Sequence, residues 1–167
     1  MKKTLALILT LLLVLPAYAG AEATVEPAAE QTAARGDGYT IAYDATAFSF
    51  YLDGVSDGCD LLVPTQDAPS PVYMLISRLE SVEAEKDSFT QEGYADAGET
   101  VLASGLSAHM YTLERSGVDY VCYIVEDGTA AFSMLTVCSQ QAGDYAQPLR
   151  AVVDTFAFAS ETAQADA

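Results

Sequence analysis

Between residues 106 and 138 the chain alternates three long runs of apolar, aromatic and β-branched residues with two short breaks. It reads LSAHMYTLER, then SG, then VDYVCYIVED, then GTAAFSMLTVC. The breaks contain Ser116-Gly117 and Asp127-Gly128, dipeptides that supply the positive φ angles of a two-residue hairpin turn. The pattern predicts three antiparallel strands. With Ser116-Gly117 at the centre of the first turn, Arg115 faces Val118, Leu113 faces Tyr120 and Tyr111 faces Cys122. With Asp127-Gly128 at the centre of the second, Glu126 faces Thr129, Ile124 faces Ala131 and Cys122 faces Ser133. One face then carries Tyr111, Leu113, Tyr120, Cys122, Ile124, Leu135 and Val137. The other carries Met110, Val121, Tyr123, Val125, Phe132 and Met134. Both faces are apolar, so the sheet is expected to be covered on both sides, in a layered α/β protein rather than a simple meander.

Upstream, residues 39–43 and 48–52 alternate as strands, and 59–63 and 72–79 read as two more. A loop at 53–58 and a proline-rich connection at 64–71 separate them. Residues 89–95 predict a short helix, with Ser88 as N-cap and Gln91 completing a capping box. Residues 99–103 lead into the central strands. Downstream, Tyr145, Leu149, Val152, Val153 and Phe156 recur on one face of a helix, for which Asp144 is the candidate N-cap. Phe156 and Phe158 alternate, which suggests that the chain leaves that helix extended.

The ends differ in character from the middle. Residues 1–19 have the form of a secretory signal peptide: Lys2 and Lys3, an apolar run from Leu5 to Leu15, and the small-x-small pattern Ala17-Tyr18-Ala19. No lipobox cysteine follows, and the run is short for a membrane span. The expectation is therefore a soluble exported protein, of bacterial type, cleaved near Ala19, with no transmembrane segment in the mature chain. Residues 20–36 are rich in Ala and Glu and are expected to be a disordered linker. Residues 159–167 resemble them as a disordered tail, leaving 37–158 as a single domain.

Charge narrows the function. The chain has 24 acidic residues against 7 Lys and Arg, a net charge of −17. Loss of Lys2 and Lys3 with the leader would leave Arg35, Arg78, Lys86, Arg115 and Arg150, and a mature charge of −19. Such a surface repels phosphate backbones and anionic membranes, which argues against nucleic-acid binding.

The order of elements resembles the PsbP/Mog1-like superfamily. There a leader and polar linker precede a G-[YF]-x-[IF]-x-Y motif on the first strand, matched here by Gly38, Tyr39, Ile41 and Tyr43. A meander of antiparallel strands and a closing amphipathic helix follow, matched by residues 145–156. Where family members often place Pro and then Trp after the opening Tyr, this chain has Asp44 and no tryptophan. The resemblance implies an α+β fold, a single α/β/α sandwich with a central antiparallel sheet and a C-terminal amphipathic helix. It brings no catalytic residue to carry over.

Candidate chemistry is sparse. His109 is the only histidine, so any histidine-dependent hydrolysis runs through it, with Ser107 or Ser133 as nucleophile and a nearby Asp. No G-x-S-x-G elbow is present, and a packed, hydrogen-bonded strand histidine is the better reading. Cys122 and Cys138 lie within strands on opposite faces and are not expected to bridge each other, while Cys59 stands between two acids that disfavour its thiolate. The loop DGVSDGCD places Asp53, Asp57 and Asp60 near Gly58 in a calcium-loop manner. Val55 and Pro64 occupy positions where an EF-hand needs ligands, so a solvated acidic turn is preferred. The ten tyrosines are good sheet formers for which half-buried packing on the strands is the first reading, and an exposed row that binds a peptide or glycan is the alternative. The sequence thus points to an exported, non-catalytic binding or accessory domain, with no catalytic, metal or cofactor residues and with a protein or glycan partner at the cell surface. A small hydrolase using His109 and an acidic-loop calcium binder are the alternatives.

Overall fold

The computed structural model describes residues 31–55 and 58–159. Residues 1–30, which include the expected leader and most of the expected linker, lie outside it, as do Ser56, Asp57 and the tail from Ser160. Two antiparallel sheets dominate. The larger has seven strands in the order β3-β4-β5-β9-β8-β7-β6. These are β3 (Phe48–Val55), β4 (Cys59–Pro64), β5 (Val72–Arg78), β6 (Ala95–Val101), β7 (Ser107–Arg115), β8 (Val118–Glu126) and β9 (Ala131–Ser139). The smaller sheet has the order β1-β2-β10, from β1 (Gln31–Gly36), β2 (Tyr39–Asp44) and β10 (Ala157–Phe158). The helices are α1 (Val82–Glu92), between β5 and β6, and α2 (Ala146–Val153), which follows a 3-10 turn at Gln140–Tyr145.

This arrangement corrects the expected α/β/α sandwich. Two helices of 11 and 8 residues are too short to form complete layers on a seven-stranded sheet. One face of the large sheet is covered by the small sheet together with α2, and the other only in part by α1. The fold is mostly antiparallel β. Residues 31–36, expected in the linker, form β1 instead. QTAARG has no strand-like alternation, and the segment becomes a strand by pairing along β2, with Gly36 opposite Tyr39. Propensity yields here to tertiary context.

The first central hairpin has the expected register, with Arg115 opposite Val118 and Tyr111 opposite Cys122. The second is shifted by two residues, so that Glu126 faces Ala131 and Cys122 faces Leu135. The cause is local. Asp127 Oδ1 accepts from the Thr129 N–H, the Thr129 hydroxyl and the Ala130 N–H, which opens a four-residue loop in place of a tight turn. A shift of two keeps every side chain on its expected face. Cys122 and Cys138 accordingly lie in different clusters, and the three cysteines are unbridged.

Both helices begin elsewhere than expected. α1 starts at Val82 rather than at 89, capped by the Ser81 hydroxyl on the Ala84 N–H at 3.2 Å rather than by Ser88. Left-handed Gly93 ends it. Phe89 is its one buried residue, so no apolar stripe marks it in the sequence. Asp144 does not cap α2. Ser139 caps the preceding 3-10 turn at the Gln141 N–H, and Pro148 occupies the first turn of α2, where its missing N–H leaves no hydrogen bond unmade. Leu149, Val152 and Val153 are buried as their spacing predicts, and Phe156 follows the helix into the core. The chain then leaves extended, as β10.

Tyr39 holds the layers together. Its ring stacks on Phe156 at 5.4 Å and meets Phe132 edge-on at 5.3 Å. Its hydroxyl donates to Asp60 Oδ2 on β4 at 2.5 Å, tying the small sheet to the large one. A Cβ at Gly36 would overlap the Tyr39 ring, so only glycine fits opposite it. The outer strands of the large sheet, β3 and β6, each carry a register irregularity, at Tyr51/Val55 and Asp96/Gly98. Such bulges blunt an edge against edge-to-edge pairing. Tyr39→Phe leaves the Asp60 carboxylate short of a donor and is expected to destabilise the fold by about 1–3 kcal/mol in urea unfolding, with an unchanged m-value.

Candidate functional site

Strand register aligns Tyr51, Leu61, Leu75, Leu135, Cys122 and Tyr111 across six strands on one face of the large sheet. Beside them run Tyr73, Val137, Tyr120 and Leu113. α1 covers only the β7–β8 half of this face. There Phe89 stacks on Tyr111 at 5.4 Å and packs with Cys122 and Ile124. Leu135 of β9 packs at the margin of that cluster, and the apolar side chains of β3, β4 and β5 lie beyond it. Tyr51 is 52% exposed, while Leu61, Tyr73, Leu75 and Leu135 are half-buried. Val137, paired between Tyr73 and Tyr120, is fully buried. Burial holds the Tyr73 hydroxyl above its ordinary pKa, and nearby Tyr120 adds to this. Tyr51 is the only exposed tyrosine among the described residues; Tyr73 and Tyr120 are half-buried, so the tyrosines do not form an exposed row but join the leucines in an open apolar platform.

α1 forms one wall of this platform. Tyr94, just past its end, lies edge-on to Phe89 at 4.8 Å and to Tyr120 at 6.5 Å. Burial, and after it the Glu92 charge, push its hydroxyl up to about 12. Glu85 is half-buried against the sheet, and burial raises its carboxyl above the ordinary value, with Glu92 second. Glu85 was not singled out in the sequence. Nothing in EAEKDSFTQE distinguishes it until α1 is docked.

The other candidates are dispersed. His109 Nε2 lies 2.8 Å from Asp96 Oδ1 and its ring tilts over Tyr111 at 4.9 Å. Ser107 and Lys86 share its shallow hollow of about 150 Å³. Among the described residues no hydroxyl or thiol is hydrogen-bonded to the imidazole, so the ring has an acid partner and no poised nucleophile. Ser133 is buried and lies two strands from His109, about 10 Å by strand spacing. Cys59 Sγ pairs with the Ser77 hydroxyl at 2.9 Å, four strands from His109. Burial pushes the Cys122 and Cys138 thiols up, away from the reactive thiolate.

The acidic loop is also divided. Asp60 turns into the core at 8% exposure, accepting from the Tyr39 hydroxyl at Oδ2 and from the Asp53 N–H at Oδ1. Asp57 lies outside the described residues, among which no group of three potential ligands converges on a metal position. A cleft of about 460 Å³ opens above Tyr39 and Asp60, between Arg35 and Arg78, and Arg78 reaches Asp37 at 3.5 Å. No helix among the described residues is long and apolar enough to cross a membrane.

No protein-family model matches the chain, and no curated protein matches it either. Among solved structures, it is similar to a protein of Bacteroides thetaiotaomicron VPI-5482, known from a crystal structure at 1.50 Å resolution. The two share 14% identity with a TM-score of 0.52, over 79% of this chain and 49% of the other. This chain thus spans about half the length of that protein, and the likeness is one of fold.

The raised carboxyl of Glu85 has a stability consequence. A carboxyl whose folded pKa exceeds its unfolded one lowers stability once it ionises, and the penalty disappears below the unfolded value, near 4.5. Glu85→Gln is therefore expected to raise Tm at pH 7, with Glu83 left to complement the helix N-terminus, and the gain should close as pH falls below about 4.5. Thermal melts of both proteins across that range check it.

Proposed function

We propose that this domain is a non-catalytic binding module of the bacterial exterior, and that its partner docks on the open half of the large sheet. The observation that carries the reading is the platform of Tyr51, Leu61, Tyr73, Leu75 and Leu135. It is a contiguous apolar surface on rigid, paired strands, beside a half-face that α1 does cover. Contiguous apolar patches of this kind mark interaction surfaces in soluble proteins, and tyrosines on strands offer large contact area at low entropic cost. Export rests on the leader-like residues 1–19, and the acidity suits a protein working outside the cell. The PsbP/Mog1-like opening at Gly38, Tyr39, Ile41 and Tyr43 points the same way, since that superfamily includes accessory and binding domains.

The test compares capture of envelope components by wild type, Tyr51→Ser and the double variant Tyr73→Ser/Leu75→Ser, with crosslinks mapped on the bait. The expected result is a partner crosslinked on β4 and β5, at least about tenfold depleted in the double variant and weakened in Tyr51→Ser, with circular dichroism unchanged. A partner crosslinked elsewhere and retained by both variants would refute the reading.

A further inference from the structure

We infer that the partner of the open sheet face is a basic polypeptide segment with apolar side chains, lying across Tyr73, Leu75 and Leu135 with its Lys or Arg side chains against Glu85 and Glu92. This rests on the reading of that face as a docking surface. The argument begins with the helix. Val82 and Phe89 define the side of α1 that packs on the sheet. At 100° per residue, Glu85 and Glu92 fall on one flank of that side, and Lys86 and Glu83 on the other. Lys86 pairs with Glu83 at 3.3 Å and acts on Tyr111 and Asp96, of β7 and β6, so its flank looks toward β6. The Glu85–Glu92 flank therefore looks toward β9 and β5, over the platform.

These two carboxylates are uncompensated. None of the ion pairs among the described residues involves Glu85 or Glu92. Arg115, the nearby cation, donates to the Glu92 backbone carbonyl at 3.0 Å. Glu85, close to Cys122 of β8, is held above its ordinary pKa by burial and by Glu92, and an arriving cation offsets the Glu92 charge. An apolar floor beside an acidic wall selects a segment that is both apolar and basic. A second copy of the chain brings the same acidic flank and a charge of −17, and anionic polymers are repelled likewise.

The test titrates the full chain with a fluorescent peptide of alternating Lys and Val, and with its counterpart of alternating Glu and Val. The proteins are wild type, Glu85→Gln/Glu92→Gln, Leu75→Ser, and the control Glu114→Gln/Asp144→Asn, which removes the same charge at two other exposed positions. The Lys peptide is expected to bind wild type about tenfold more tightly than either the Glu85→Gln/Glu92→Gln or the Leu75→Ser protein, with the control within about twofold and the Glu peptide unbound. An equal loss in the control reduces the effect to general attraction and overturns the inference. So does tight self-association through the platform, or binding of a neutral glycan there in place of the peptide. The envelope capture above separates the two levels. A partner kept by Glu85→Gln/Glu92→Gln but lost from Tyr73→Ser/Leu75→Ser overturns the basic partner and leaves the docking surface standing, while one kept by both overturns both.

Discussion

Tyr39 occupies the junction on which the layered structure depends. Its ring lies among Phe132 of the large sheet and Phe156 after α2, and its hydroxyl reaches Asp60 on β4. A buried carboxylate is costly unless its oxygens are bonded, and here one oxygen takes the tyrosine and the other the Asp53 N–H. The same bond holds the three-stranded sheet against the seven-stranded one. The glycine at 36 follows from it, because the ring occupies the space a side chain would need. Thr155, between α2 and β10, ties that segment to β2 by accepting from the Ala42 N–H at 2.8 Å.

With one face closed in this way, the other is covered unequally. α1 contributes one buried side chain, Phe89, and the partly buried Val82, and the cluster around them ends at Leu79, Tyr94 and Leu135. An 11-residue helix is about 16 Å long, whereas seven strands at about 4.8 Å spacing span nearly 30 Å. The helix cannot cover the sheet. The strands beyond its reach nonetheless keep apolar residues on that side, and this mismatch between composition and cover defines the platform. The acidic flank of α1 borders it, so a hydrophobic surface and a charge preference occur together.

His109, the cysteines and the acidic loop show why residue types alone say little about chemistry. His109 gained a carboxylate partner, Asp96, through the β6–β7 pairing, yet Ser133 is carried to a buried position two strands away. Asp60, grouped in sequence with Asp53 and Asp57, serves the core. Each separation follows from strand parity and sheet order, quantities that no count of residues contains.

Local sequence determined much of this protein. Alternation specified β2 and β3, runs of apolar, aromatic and β-branched residues specified β4, β5 and the three central strands, Ser116-Gly117 set the register of the first central hairpin, and the spacing of Leu149, Val152 and Val153 identified the buried stripe of α2. These features are governed by contacts a few residues apart, so they are legible in a short window. The face assignment survived even where the second hairpin register did not, because the loop built on Asp127 shifted it by an even number. Only the tertiary structure decided the rest. QTAARG became a strand because β2 offered it an edge, the polar stretch from Val82 became a helix because Ser81 and Gly93 cap it and Phe89 found a pocket, and two small layers replaced the expected helical ones. The platform is the clearest case, since a half-buried leucine and a core leucine read alike in sequence, and only the reach of α1 tells them apart.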